Sequence, residues 1–239
     1  MTTQKPLQGK IAFVTGASRG IGFAIARALG RAGAGVGLCA RDANKLETAA
    51  SELEREGIRV HSQLADLARP GDIASLVEGT ERALGPIEIL VNNAGVGWFG
   101  PAHEASEVTW NTVLDTNLKA VFLVSKAVAP GMIRRRAGHI INIASLAAKN
   151  AFAGGGVYCA SKWGLLGLTQ CMAEDLRAYG IRVSAICPGS VATDFSPHAA
   201  KDPGKMLQPE DVAHAVEAIV TQSPQSFLSE ILLRPTQKP

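Results

Sequence analysis

Short runs of apolar and β-branched residues alternate along the chain with longer stretches in which apolar residues recur every three or four positions. The short runs are Ile11 to Thr15, Gly35 to Ala40, Arg59 to Leu64, Ile87 to Asn92, His139 to Ala144, Arg182 to Cys187 and Phe227 to Leu232. They predict strands, and the Ala/Leu/Glu-rich stretches between them predict helices. Several runs are apolar almost throughout, as in strands covered on both faces of a parallel sheet. The expected fold class is α/β, a doubly wound domain with a seven-stranded parallel sheet flanked by helices.

A chain of 239 residues suits one such domain, and no Pro/Gly/Ser linker divides it. A single domain over residues 1–239 is expected. Ser190 to Gln208 breaks the alternation, mixing Pro197, Pro203 and Gly204 with isolated apolar residues. It predicts a flap over a ligand site, because loops after strand ends carry function in open α/β sheets.

Composition is that of an ordinary globular protein, with 46% hydrophobic and 19% charged residues. The formal charge of +3 arises from dispersed residues and does not point to nucleic acid. Arg134-Arg135-Arg136 ends a helical pattern, where cations suit the helix dipole. Cys39, Cys159, Cys171 and Cys187 have no CxxC spacing, and the histidines no ligand spacing, so reduced thiols and no metal site are expected. Met1 to Gly9 lacks a signal-peptide core and no apolar run is long enough to span a bilayer. A cytoplasmic protein without membrane contact is expected.

The chemistry begins where Ile11 to Thr15 runs into Gly16-Ala17-Ser18-Arg19-Gly20-Ile21-Gly22, followed by the helical pattern Phe23 to Gly30. Glycines at a strand-to-helix turn let the backbone approach a pyrophosphate at the helix N-terminus, which predicts a dinucleotide cofactor. The second strand ends in Ala40-Arg41 rather than an acidic residue. Arg19 and Arg41 could converge on a 2′-phosphate, so NADP(H) is expected over NAD(H), unless Arg41 pairs with Asp42 or Glu47. Tyr158 and Lys162 are four apart in a helical pattern running to Tyr179. That spacing puts both on one face, where an ammonium stabilises a phenolate and lowers the tyrosine pKa.

From Lys10 to about Pro235 the chain resembles the short-chain dehydrogenase/reductase family. The matching motifs are Thr15-Gly16 to Gly22, Asp66-Leu67, Asn92-Asn93-Ala94-Gly95, Asn117, Ser145, Tyr158 to Lys162, and Pro188-Gly189 with Thr193. The resemblance implies a Rossmann-type domain and an enzyme acting on CH–OH groups. It makes Tyr158 the general acid/base, Ser145 the carbonyl clamp, Lys162 the modulator of Tyr158 and ligand of the nicotinamide ribose, and Asn117 the holder of a relay water. For the cofactor it implies the loop residues Gly16, Ser18, Arg19, Gly20, Ile21 and Gly22, with Arg41. It also implies Asp66 and Leu67 at adenine, Asn93, Ala94 and Gly95 at the adenosine ribose, and Pro188, Gly189, Val191 and Thr193 at the carboxamide.

The expected partner is a small-molecule carbonyl or alcohol. Relatives that reduce β-ketoacyl groups on acyl carrier protein suggest that substrate too, with Arg135 or Arg136 meeting the carrier. Tyr179 before Gly180-Ile181 and the ending Ser229 to Pro235 depart from their pattern, so the carrier protein is not favoured. Trp98, Phe99, Ala147 to Gly156, Phe195, His198 and Met206 are expected to line an apolar pocket, the aromatics being equally readable as core or interface. Val108 to Ala129 and Tyr158 to Tyr179 carry apolar residues on more than one face, and with the resemblance imply a homotetramer or a dimer. The competing readings are an NAD-dependent alcohol dehydrogenase and a dinucleotide-binding regulator without catalysis. Intact Asn117, Ser145, Tyr158 and Lys162 oppose the latter.

Overall fold

The computed structural model describes residues 5–195 and 202–238. Seven strands, β1 (Ile11–Thr15), β2 (Gly35–Ala40), β3 (Val60–Leu64), β4 (Ile89–Asn92), β5 (Gly138–Ile143), β6 (Ile181–Pro188) and β7 (Glu230–Leu233), form one parallel sheet in the order β3-β2-β1-β4-β5-β6-β7. The helices are α1 (Gly20–Arg31), α2 (Ala43–Arg55), α3 (Pro70–Leu84), α4 (Glu107–Leu114), α5 (Ala120–Arg135), α6 (Gly156–Arg177) and α7 (Pro209–Val220).

Side chains alternate across a strand, and here both sets are covered. Val14, Leu38, Val91, Ile141 and Ile186 meet α1, α2 and α7 through Ile25, Leu29, Leu53, Val216 and Ile219. Phe13, Leu90, Ile140 and Val183 meet α3, α5 and α6 through Leu76, Val124, Met132 and Leu176. That two-sided burial explains why β1 reads as an unbroken apolar run: all its residues are buried. β3 has one neighbour only, β2, and on this edge Ser62 and Leu64 face solvent.

The limits of β3 to β6 shift from the sequence reading by one or two residues, and two other elements differ more. The last strand begins at Glu230, not Phe227. Before it, the Leu228 N–H goes to Gln222 Oε1 (2.9 Å) and its carbonyl accepts from Ser184 Oγ (2.6 Å), so side chains rather than ladder bonds satisfy this backbone. The helical pattern after Val108 is interrupted by a π-helical turn, Asp115–Lys119, between α4 and α5. The expected flap is tied at its base, where Ala192 N donates to Leu207 O (2.8 Å) and Leu207 N to Ser190 O (3.0 Å). Its middle, with His198, lies outside the described residues.

Strand order reverses between β1 and β4, whose connections leave on opposite sides. The crevice at the carboxyl ends of these strands is where an open α/β sheet holds its ligand.

Candidate active site

A cleft of about 1290 Å³ runs across the carboxyl ends of the strands. It starts at the turn between β1 and α1. Gly16 has a left-handed φ of +64°, and a Cβ there would lie 2.8 Å from Ala94 Cα. A Cβ on Gly22 would meet the Gly16 carbonyl and lie 2.5 Å from Asn93 Nδ2. Only glycine therefore lets the loop lie this close to β4. Among the described residues no side chain caps α1, and its first residues, Gly20, Ile21 and Gly22, line the cleft.

Thr15 and Asn93 fix the loop. Thr15 Oγ1 accepts from the N–H groups of Asn93 and Ala94, each at 3.0 Å. Asn93 Nδ2 donates back to the carbonyls of Thr15 (3.0 Å) and Gly16 (3.2 Å). The Asn93 side chain thus braces the glycine turn, and Asn93, Ala94 and Gly95 all line the cleft. Asp66 and Leu67 line it beyond β3, although Asp66 Oδ1 also accepts from Ala68 N (3.1 Å) to shape its turn.

Three cations border this end: Arg19, Arg41 and Lys45. Arg19 Nη1 pairs with Asp194 Oδ2 (2.6 Å), linking the glycine loop to the flap. Asp42 is not a partner of Arg41; it caps α2, accepting from Lys45 N at 3.1 Å. Among the described residues no hydrogen bond or ion pair holds Arg41. Lys45 was not singled out in the sequence, although its place one turn beyond Arg41 was visible there.

At the other end, Ser145 follows β5, and Tyr158 and Lys162 occupy the first turns of α6. Tyr158 is 8% exposed and Lys162 4%. Lys162 Nζ donates to the Ile143 carbonyl (2.9 Å) and lies 5.9 Å from the Tyr158 ring centroid. Burial pushes the Tyr158 phenol up to about 12, with the Ser145 hydroxyl pulling against it. Burial also pushes Lys162 down to about 8. Both side chains have lost water, and that desolvation of the charged form sets the direction of each shift. Phenolate and ammonium remain mutually stabilising once a proton has moved.

Asn117 does not line the cleft. The π turn carries it inward to complete burial, where Nδ2 donates to Val96 O (2.8 Å) and Ser161 Oγ (3.0 Å), and Oδ1 accepts from Val96 N (2.8 Å). Ser161 Oγ in turn donates to the Tyr158 carbonyl (2.7 Å), so Asn117 and Ser161 position the start of α6. π turns recur at functional sites because they re-aim one residue. Ser161 escaped the sequence reading, its one signal being its place beside Lys162.

Pro188, Gly189, Val191 and Thr193 line the cleft after β6, and Phe99 and Phe195 flank Tyr158. Trp98 and Met206 do not line it. Trp98 folds over Gly100, a Cβ on which would lie 2.9 Å from its ring, and Met206 is buried. The tail, with Arg234 and Lys238, does line it beside Gly189, which needed the position of β7 to be seen. Arg135 donates to the Ile87 carbonyl (2.6 Å), just before β4, and Arg136 to that of Ala178 (3.0 Å), at the end of α6.

Residues 10–204 match the short chain dehydrogenase family model. The chain belongs to the short-chain dehydrogenase family. It is 39% identical to gluconate 5-dehydrogenase of Gluconobacter oxydans over 82% of this chain and 77% of that protein. It is 36% identical to glycine betaine reductase ATRR of Emericella nidulans, covering 98% of this chain but 19% of that much longer protein. A crystal structure of a metagenomic short-chain oxidoreductase in complex with NADP is 47% identical, covering 98% of this chain and all of that one, with a TM-score of 0.87. In this short-chain dehydrogenase the residues of the glycine turn and of the Ser145, Tyr158, Lys162 group thus open onto one cleft.

Proposed function

We propose that this protein is an NADP(H)-dependent oxidoreductase that reduces a small carbonyl compound, or oxidises the matching secondary alcohol, with Tyr158 as general acid/base. The observation that carries this reading is the single cleft with an uncapped helix N-terminus and three cations at one end and Ser145, Tyr158 and Lys162 at the other. The cradle at Gly16 and Gly22, which a Cβ would fill, fits a pyrophosphate. Arg19, Arg41 and Lys45, with Ala40 where an acid would favour NAD, fit a 2′-phosphate. The related metagenomic enzyme's complex with NADP supports the same choice.

Bound there, the dinucleotide supplies the hydride. Ser145 Oγ, held by the Ala147 N–H at 3.1 Å, is placed to donate to the substrate oxygen. Tyr158, fully protonated at neutral pH, gives that oxygen its proton as charge develops. Lys162, buried 5.9 Å from the centre of the Tyr158 ring, would stabilise the resulting phenolate and hold the ribose hydroxyls of the bound dinucleotide. Lys162 then needs a route for the returning proton. The Asn117 side chain is already engaged, so a relay water there would be met by the backbone of the π turn. Catalytic side chains intact in one cleft favour this reading over a regulator that only binds dinucleotide.

Trp110, Phe122 and Trp163 on α4, α5 and α6 are 46%, 45% and 53% exposed, a face suited to a second copy of the chain and to the homotetramer or dimer expected. Among the described residues no helix is long and apolar enough to cross a membrane. Free Cys39, Cys159 and Cys187, all buried, suit a reducing, cytoplasmic setting. The test of the function is carbonyl-dependent oxidation of NADPH by the purified protein; binding of NADPH without turnover of any ketone, aldehyde or acetoacetyl thioester contradicts it.

A further inference from the structure

The carbonyl end of the cleft is walled by phenylalanine. Phe99 and Phe195 both pack against the Tyr158 ring, with centroids 5.4 Å and 5.8 Å away and planes tilted by 57° and 54°. Phe152 continues the wall, 6.4 Å from Phe99. These rings are not core. They are 39%, 41% and 49% exposed, and all three line the cleft that Tyr158 also lines.

The wall is built by the backbone. A Cβ on Gly97 would lie 2.8 Å from the Phe99 ring and 3.2 Å from that of Phe195, and one on Gly155 would lie 2.6 Å from the Phe152 ring. Glycine at these positions lets each ring lie down on the chain. The two loops bearing Phe99 and Phe152 are tied by a hydrogen bond from Gly100 N to Gly154 O of 2.8 Å. Apart from Tyr158 and Lys162, the ionisable residues that line the cleft among the described residues lie around the β1–α1 turn, beyond β2 and β3, or beside Gly189 where the tail enters.

We infer that the substrate is an aryl carbonyl compound, a ketone or aldehyde whose carbonyl is conjugated to a flat ring, and that Phe99, Phe152 and Phe195 set this preference. The inference rests on the reductase reading above and narrows its substrate class. Ring faces and edges offered at a tilt complement another ring in edge-to-face and offset contacts, which a saturated chain cannot make. The carbonyl then sits at the Tyr158 and Ser145 hydroxyls with the substrate ring against the exposed parts of Phe99, Phe152 and Phe195. A hydride adds to the carbonyl carbon from reduced nicotinamide, which is oxidised, and the Tyr158 proton goes to the oxygen, giving a benzylic alcohol.

The experiment compares acetophenone with 2-octanone, methyl ketones with the same number of carbons, as substrates for NADPH oxidation by wild type, Phe99→Leu and Phe152→Leu proteins. Simple apolar burial favours the more hydrophobic 2-octanone. The aromatic wall predicts instead that wild type has a kcat/KM for acetophenone higher by about tenfold or more, and that each leucine variant lowers the ratio between the two ketones several-fold. Because the ratio is taken within one protein, a variant's loss of folded fraction cancels. Equal or greater kcat/KM for 2-octanone, or a ratio unchanged in both variants, overturns this inference and leaves the reductase reading intact. No turnover of either ketone, nor of an acetoacetyl thioester, by protein that binds NADPH overturns both.

Discussion

Tyr158 keeps its proton at any ordinary pH, because burial holds its phenol near 12, whereas Lys162 beside it is held near 8. The two therefore have different consequences. Tyr158→Phe removes only the hydroxyl, and the ring packing with Phe99 and Phe195 survives. Turnover should fall by about 10²- to 10⁴-fold while NADPH binding, followed by titration, stays within about twofold. Retention of most of the turnover contradicts the role assigned to the hydroxyl. Lys162 is charged below about pH 8 and neutral above it. The kcat/KM for the dinucleotide, which reports the free enzyme, should decline as pH rises through that value. A flat profile to pH 10 contradicts the view that the ammonium form is the active one. Arg41 lines the cleft without a competing partner among the described residues. Arg41→Ala should weaken NADPH by about tenfold or more, the scale of one charge-assisted hydrogen bond, and NADH hardly at all. Equal losses for both show that Arg41 does not read the phosphate.

Among the elements, β5, β6 and the approach to β7 are joined by a buried polar chain. Ser184 Oγ spends its proton on the Leu228 carbonyl, so His139 Nε2, 2.8 Å away, is the donor to it, and Nδ1 carries the lone pair. Nδ1 is buried without a partner among the described residues, and burial together with Arg182 pushes the imidazole down to about 3. With the folded value below the unfolded one, the unfolded chain binds the extra proton as pH falls, and stability is lost on the acid side between about 6.5 and 3. His139 alone should cost about 2 kcal/mol between pH 7 and pH 5. Urea unfolding of wild type and His139→Phe at both pH values checks this. A smaller drop in the variant is expected, and an equal drop contradicts it. The π turn shows the same principle at the site. An uninterrupted helix over residues 107–135 would aim Asn117 differently, and the inserted turn gives it Val96 and Ser161 as partners.

Across the whole molecule, the strands were legible because a parallel sheet covered on both faces demands apolar runs. The glycine turn was legible because close backbone approach demands glycine at Gly16 and Gly22. Strand edges followed side-chain competition instead, as at Leu228, where Gln222 and Ser184 take the backbone groups. Within the site, residue type and order indicated Tyr158, Lys162, Ser145 and Arg41, but not what each side chain was already holding. Asn93 braces Thr15 and Gly16, Arg19 is paired with Asp194, and Ser161 links Asn117 to α6. Those commitments are long-range, between elements that only the fold brings together, and leave no periodic trace. The central claim is that dinucleotide and carbonyl meet in one cleft with Tyr158 as the proton donor. The measurement that tests it most directly is ketone-dependent NADPH oxidation by wild-type and Tyr158→Phe proteins, both titrated with NADPH and NADH. The account predicts tighter binding of NADPH than NADH by both proteins and turnover by the wild type alone. Equal turnover by the two, or NADPH binding without turnover of any carbonyl by either, contradicts it.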